Sequence, residues 1–510
     1  MRSTRVLALL PLALLLSLAG APLARLMAEG AGTLSPAFLF DPYYRWRLLW
    51  SFTQALATCA LALLFGLPIA WALARFDFPG RRWLMRLMML PFVMPTLVAA
   101  MGVLALFGPE GVTGVMGQDT PWLLLYGNLF YNLPLLVRSA QEGFARLPAS
   151  RIMAARTLGA SPWRVFWRIE LPGALPWVCS ALCLVFLYCF SGFGLALILG
   201  GQRYATVEVE IYTLVAYELN LGDASALALT VLAITGLAAL GYAWLERILA
   251  RPLRGMALPR SAPTGWRQYA LLALAMGLTA MLALAPLAAI AWRALWAGAA
   301  WQALADPEVW GALANTARFT ALALAGACVF GLAHAFAMRR SVLLGTLAFL
   351  PYALSPICVA FGLLLLYPGL SASLVLLIGA YTLLAYPFIA RGLAASLDAV
   401  PAHLPQAART LGASPWRLTW RLLLPLAAPA LRRGMAFAAA TALGEFAVTL
   451  FLSRPEWMTL TTLIYQRLGR PGAMNQDSAL VLSCLLMLLA MLAFVLIEWQ
   501  REEARDAGGR

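Results

Sequence analysis

The chain has 510 residues, of which 62% are hydrophobic and only 12% charged, and its mean hydropathy is strongly positive. Soluble domains carry about 25% charged residues, so half that fraction excludes a soluble globular protein, a disordered chain and a nucleic-acid binder that reads through a basic soluble face. The net charge of +15 is carried by 37 basic residues that are all Arg. Without Lys, a phosphate-cradling G-x-x-x-x-G-K-[ST] loop cannot exist here.

A hydrocarbon core about 30 Å thick takes about 20 helical residues to cross. Twelve apolar stretches reach that length, near residues 6–28, 49–74, 85–108, 121–141, 174–200, 224–245, 269–296, 315–338, 342–366, 372–391, 430–453 and 478–498. They predict an all-α membrane protein with about twelve transmembrane helices. The first stretch, with Arg2 and Arg5 before it and LAGAPLA after it, has the outline of a cleaved signal peptide, but the length of its apolar run favours a retained helix. Either way it carries the chain from cytoplasm to exterior.

Arg75, Arg81, Arg82 and Arg86 follow the second span, and Arg138, Arg146, Arg151, Arg156, Arg164 and Arg168 follow the fourth. Such clusters mark cytoplasmic loops. Segment 109–120 has Glu110 and Asp119 without an Arg, and 201–223 has Glu208, Glu210, Glu218 and Asp223 against Arg203, so both face outward. A basic, Pro-containing linker at 247–268, with Arg251, Arg254 and Arg260, returns inside and separates a first unit, 1–246, from a second, 269–510. Both termini are then cytoplasmic.

Within the spans a few residues invite a functional reading. Asn128 and Asn132, four apart on one helix face, either touch substrate or join helices by hydrogen bonds. Pro91 with Pro95, and Pro351 with Pro356, predict kinks in the third and ninth spans. Glu445 in GEFAVTL is a costly carboxylate inside a span, so it faces either a substrate pathway or a structural partner. Phe193 and Phe446 either stack on a cationic substrate or pack. His334, alone in its span, reads as an interhelical contact. Cys59, Cys179, Cys183, Cys189, Cys328, Cys358 and Cys484 lie in apolar runs without a C-x-x-C pair or a nearby His, so no metal site and no cofactor is expected.

The two units repeat. Residues 154–164 and 407–417 both read AARTLGASPWR, an offset of 253 that also maps Pro134 to Pro387, Arg138 to Arg391, Phe193 to Phe446 and Tyr212 to Tyr465. Six spans per unit give two parallel repeats with a passage at their interface. Each repeated loop, 142–172 and 393–425, predicts a short helix ended by a left-handed Gly (Gly159, Gly412), then a second helix capped by Ser161 or Ser414 before Pro162 or Pro415. Small Ala side chains on a twinned hook suit a two-fold protein partner. An amphipathic loop resting on lipid headgroups is the alternative, but lipid does not require one sequence twice.

These loops resemble the membrane-spanning permease subunits of binding-protein-dependent ABC importers. The family motif, E-A-A-x-x-x-G, nine residues, then I-x-L-P, is matched by A-A-R-T-L-G with I-E-L-P at 169–172, and by A-A-R-T-L-G with L-L-L-P at 422–425. The leading Glu is replaced by Met153 and Gln406. The resemblance implies that Ala154, Ala155, Gly159, Ala407, Ala408 and Gly412 dock into two copies of an ATP-binding cassette ATPase, so that this chain moves substrate without hydrolysing ATP. It also implies a bacterial inner-membrane location and a periplasmic substrate-binding protein. In length and doubling the chain resembles the fused permeases of thiamine and ferric-iron import, and GGQRYATVEVEIY at 200–212 and TLTTLIYQRLG with Asp477 following, at 459–477, look like the corresponding regions of thiamine permeases. Phe193, Glu445, Phe446, Asn128 and Asn132 are the candidate pathway residues. A twelve-span secondary transporter would share the parallel halves, but it has no evident use for twin hooks.

Overall fold

The computed structural model describes residues 2–115, 120–249, 258–339, 341–348, 350–371, 373–452 and 454–508. Asp119, Arg251 and Arg254, which help to orient the loops by their charge, lie outside them. Helix follows helix, and among the described residues β pairing is limited to an isolated bridge between Phe76 and Ser261.

In the first repeat, α1 (Leu9–Gly30) includes one π turn at Leu16–Gly20. The helix α2 (Pro42–Arg75) starts where the Asp41 carboxylate accepts from Tyr43 N at 2.8 Å, which satisfies an otherwise unpaired first-turn amide. Next, α3 (Arg81–Val93) and α4 (Thr96–Phe107) form one apolar span bent by 107°. The bend falls at Pro95, which pushes Met94 out of helical geometry to ψ 146°. There follow α5 (Pro121–Ala145), the short α6 (Ala149–Thr157), α7 (Pro162–Phe190), the short α8 (Gly194–Leu199) and α9 (Val207–Ala216), and α10 (Leu221–Leu249).

The second repeat runs in the same order. It comprises α11 (Trp266–Leu295), α12 (Pro307–Met338), α13 (Pro356–Leu366), α14 (Leu374–Asp398), α15 (His403–Thr410), α16 (Pro415–Leu443), α17 (Ala447–Leu452), α18 (Leu460–Gly469) and α19 (Ala473–Ala493). A π turn at Ala280–Leu284 in α11 matches the one in α1.

Among the described residues nine helices are long and apolar enough to cross a membrane, or ten when α3 and α4 count as one span. The remaining two of the twelve expected stretches are α5 and 342–366. Asn128, Asn132, Arg138, Gln141 and Glu142 dilute the hydropathy of α5, although its 25 residues are long enough to cross. The stretch 342–366 is broken at Ser355–Pro356, and only the 11-residue α13 continues beyond the break. Residues 174–200 and 430–453 are also interrupted, between Phe190 and Gly194 and between Leu443 and Ala447.

Each repeat lends its first span to the other. Leu14, Leu15 and Ala19 of α1 share a buried cluster with Phe319, Ala323 and Ala327 of α12, and the α1 backbone comes so close to α13 that a side chain on Gly362 would meet Pro22 at 3.0 Å. Reciprocally, α11 packs on α2 and α4, and a side chain on Gly102 would meet Pro286 O at 3.1 Å. Small residues let the helix backbones approach where lipid supplies no hydrophobic drive.

Candidate functional site: twin hooks and a central cavity

The identical loops fold identically. In the first, Leu158, Gly159 and Ala160 N–H groups donate to Ala154, Arg156 and Ala155 carbonyls at 3.1, 3.0 and 3.0 Å. In the second, Leu411, Gly412 and Ala413 donate to Ala407, Arg409 and Ala408 at the same three distances. Gly159 has φ +76° and Gly412 φ +79°, the left-handed conformation that ends each helix where Gly carries least strain. Ser161 and Ser414 then cap α7 and α16, accepting from Arg164 N at 3.4 Å and Arg417 N at 3.3 Å.

The hooks leave apolar side chains uncovered. Leu158 and Leu411 are both 88% exposed, and Trp163 and Trp416 are 71% and 70% exposed. Ala154 and Ala407 are exposed beside them, with Ala155 and Ala408 half-buried. Sequence reasoning misses the leucines because one Leu in an apolar chain carries no signal, whereas the turn that lifts it free of its own helix does.

The hook bases differ. In the first repeat the buried Glu170 carboxylate meets Arg75 at 2.9 Å and accepts from the Trp71 indole N–H. In the second, Leu423 takes the position of Glu170 and is buried with Phe336 packed against its cluster.

At their ends away from the hooks, α7 and α16 approach each other. Phe193 and Phe446, just beyond those ends, stack across the repeats with centroids 5.9 Å apart. Next to this pair is a cavity of about 260 Å³ walled by both repeats. Asn128, Asn132, Phe193, Glu445 and Phe446 all line it, together with Phe92, Tyr131, Tyr188, Phe388 and Phe437. Its largely apolar, aromatic wall with a few polar groups suits a small organic molecule. The breaks in the four interrupted spans contribute Pro95, Ser191, Pro356 and Gly444 to the same wall.

The polar residues of the wall also hold the fold. Asn128 donates to Gln54 Oε1 at 2.7 Å, and Gln54 in turn donates to Cys189 O at 2.8 Å, tying α5, α2 and α7. Asn132 donates to Asn128 O and Cys189 Sγ, while its Oδ1 is buried without a hydrogen-bond partner. Glu445 accepts from Val448 N at 3.0 Å and so caps α17. It is the charged side chain among the described residues of the wall, and its counterpart Gly192 shows that the first repeat makes the same break without a carboxylate. His334 lies off the cavity, bonded to Leu344 O at 2.9 Å and stacked on Tyr386. A further buried carboxylate, Glu208 of α9, accepts from Ser355 of the other repeat at 2.6 Å.

Two segments, residues 62–255 and 327–502, match the family described as binding-protein-dependent transport system inner membrane component. The chain belongs to this family. As a permease it is similar over most of its length to the thiamine transport system permease protein ThiP of Escherichia coli, with 28% identity covering 89% of each chain. Its identity to the ThiP of Haemophilus influenzae is 26% over 93% of each chain. The ThiP of Brucella abortus is 35% identical over 240 residues, 44% of each chain. The doubled family match falls on the two repeats and takes in both hooks of the permease, along with all five cavity residues singled out from the sequence.

Proposed function

We propose that this chain is the membrane passage of an ABC importer that carries thiamine, free or as its phosphate esters, from the periplasm to the cytoplasm. The twin hooks carry this reading. They have one sequence, one geometry and one exposed Leu each, as two copies of a single partner require. That partner is an ATPase subunit, docked at Ala154, Ala155 and Gly159 on one hook and at Ala407, Ala408 and Gly412 on the other. The hook side is therefore cytoplasmic, with both termini there, and the linker 247–268 joins the halves on that side. ATP hydrolysis belongs to the partner.

The substrate path runs through the cavity between the halves, past Asn128, Asn132, Phe193, Glu445 and Phe446. A flat organic cation suits seven aromatic rings and one carboxylate in that wall. Thiamine as the cargo rests on the full-length similarity to the ThiP permeases. A periplasmic binding protein delivers it to the face opposite the hooks.

The deciding experiment is uptake of labelled thiamine and labelled ferric ion by cells without their own carriers, co-expressing this chain with its ATPase and binding protein. Thiamine uptake that disappears when the ATPase is inactivated is expected. Uptake of iron alone overturns the substrate, and uptake that persists without active ATPase overturns the importer mechanism.

A further inference from the structure

The side away from the hooks carries a feature that the passage itself does not need. Between α9 and α10 the chain turns through Tyr217, Glu218 and Leu219, and Leu219 has φ +54°, the sole positive φ at a non-glycine among the described residues. A branched apolar side chain is strained there. The other repeat shows the unstrained solution, because Gly472 occupies the equivalent position, between α18 and α19, with φ +108°. Leu219 nevertheless leaves its side chain 77% exposed and Tyr217 is 68% exposed, so neither supplies core packing in return.

The turn is firmly mounted. Glu218 N donates to Thr213 O at 3.2 Å and Asn220 N to Leu214 O at 2.9 Å. The Asn220 side chain is bonded to Asp223, which also accepts from Tyr44 OH at 2.7 Å. The exposed pair is thus held in a fixed place.

It is also connected inward. The Tyr217 ring lies edge-on to Tyr212 at 5.8 Å, Tyr212 lies against Phe193 at 5.5 Å, and Phe193 stacks on Phe446 of the other repeat. Four rings in contact therefore run from the surface to the pair that joins the halves beside the cavity. In the second repeat Tyr465 contacts Phe446 and also lies beside Tyr217, so the rings of both repeats converge on this one exposed tyrosine, while exposed Arg470 stands at the position equivalent to Tyr217.

We propose that the Tyr217–Leu219 turn is the docking knob for the binding protein, and that Tyr212 transmits docking to the Phe193–Phe446 pair, which opens as the outer gate. This rests on the importer reading above. The docking face is asymmetric, so the partner offers an apolar pocket to Leu219 and Tyr217 and acidic side chains to Arg470. The hydrogen bonds that mount the turn keep the knob presented against the strain at Leu219, a cost tolerated at a contact site.

The test uses the full chain assembled with its ATPase subunits in lipid nanodiscs, measuring binding-protein affinity and the stimulation of ATP hydrolysis when the loaded binding protein is added. Leu219→Gly keeps the backbone turn and removes the knob, so its melting temperature stays near the wild-type value while affinity falls about tenfold or more. Tyr217→Ala acts in the same direction. Tyr212→Leu leaves affinity within about twofold but abolishes most of the stimulation, which separates the relay from the knob. Wild-type affinity in both Leu219→Gly and Tyr217→Ala overturns the docking assignment, and full stimulation in Tyr212→Leu overturns the relay. A wild-type complex that no binding protein stimulates overturns the importer reading itself, and the inference with it.

Discussion

Glu170 lies within the I-E-L-P stretch of the first hook, where its carboxylate is buried against Arg75 and Trp71. Breaking such a pair from one side leaves a charge with no partner, whereas replacing both members with apolar groups removes the buried charge and leaves only the Trp71 indole N–H without its acceptor. Glu170→Leu alone should therefore destabilise the purified chain by about 3–5 kcal/mol. Glu170→Leu combined with Arg75→Met, which approaches the apolar arrangement at Leu423, should recover most of that loss. Apparent melting temperatures in detergent check it, and a double variant no better than the single would refute it. The sequence contains the Glu but does not point to its partner, since 95 residues separate it from Arg75. Glu445 illustrates the complementary difficulty. Its cost inside a span is legible, but its cap on Val448 is not, because the break at Gly444 depends on packing against Pro95 of the other repeat, whose Cα would stand 3.0 Å from a Cβ added to Gly444.

Among the elements, the hooks are the most legible, because Pro, Gly and Ser stand at the positions that start, end and cap their helices and the same eleven letters occur twice. Space is open around both glycines, with nothing within 4 Å of an added Cβ at Gly159 or Gly412. A bulky residue there meets only backbone strain in this chain, roughly 1–2 kcal/mol, and its main conflict arises with the docked ATPase. Because the hook geometries coincide, Gly159→Leu and Gly412→Leu should insert normally and lower ATPase-driven uptake to a similar degree, with the double variant uncoupled. Wild-type coupling in the double variant sinks that expectation. The span breaks are half legible. Pro95 and Pro356 announce two of them through local chemistry, while those after Phe190 and Leu443 have no Pro and depend on contacts between elements remote in sequence, such as Gly194 against Thr96 Oγ1.

On the scale of the whole molecule, the parallel repeats follow from the 253-residue offset, but the exchange of first spans does not, since α1 and α13 are remote in sequence and neither has a pattern that names its neighbour. The exchange makes a specific pair available. Pro22→Cys with Gly362→Cys should cross-link under mild oxidation, because the first side-chain carbons stand 3.0 Å apart before relaxation and a parting of about 0.5 Å brings them into the disulfide range. After proteolysis in the 247–268 linker, the two halves should remain joined on a non-reducing gel, and separate halves would contradict the exchanged arrangement. The same exchange has a consequence for biogenesis. The faces of α2 and α4 that receive α11 stay uncovered until the ribosome has passed residue 295, so the first repeat cannot finish assembling as it emerges. Carrying both repeats on one polypeptide turns that wait into an intramolecular search at high effective concentration, and the late partner cannot diffuse away in the bilayer.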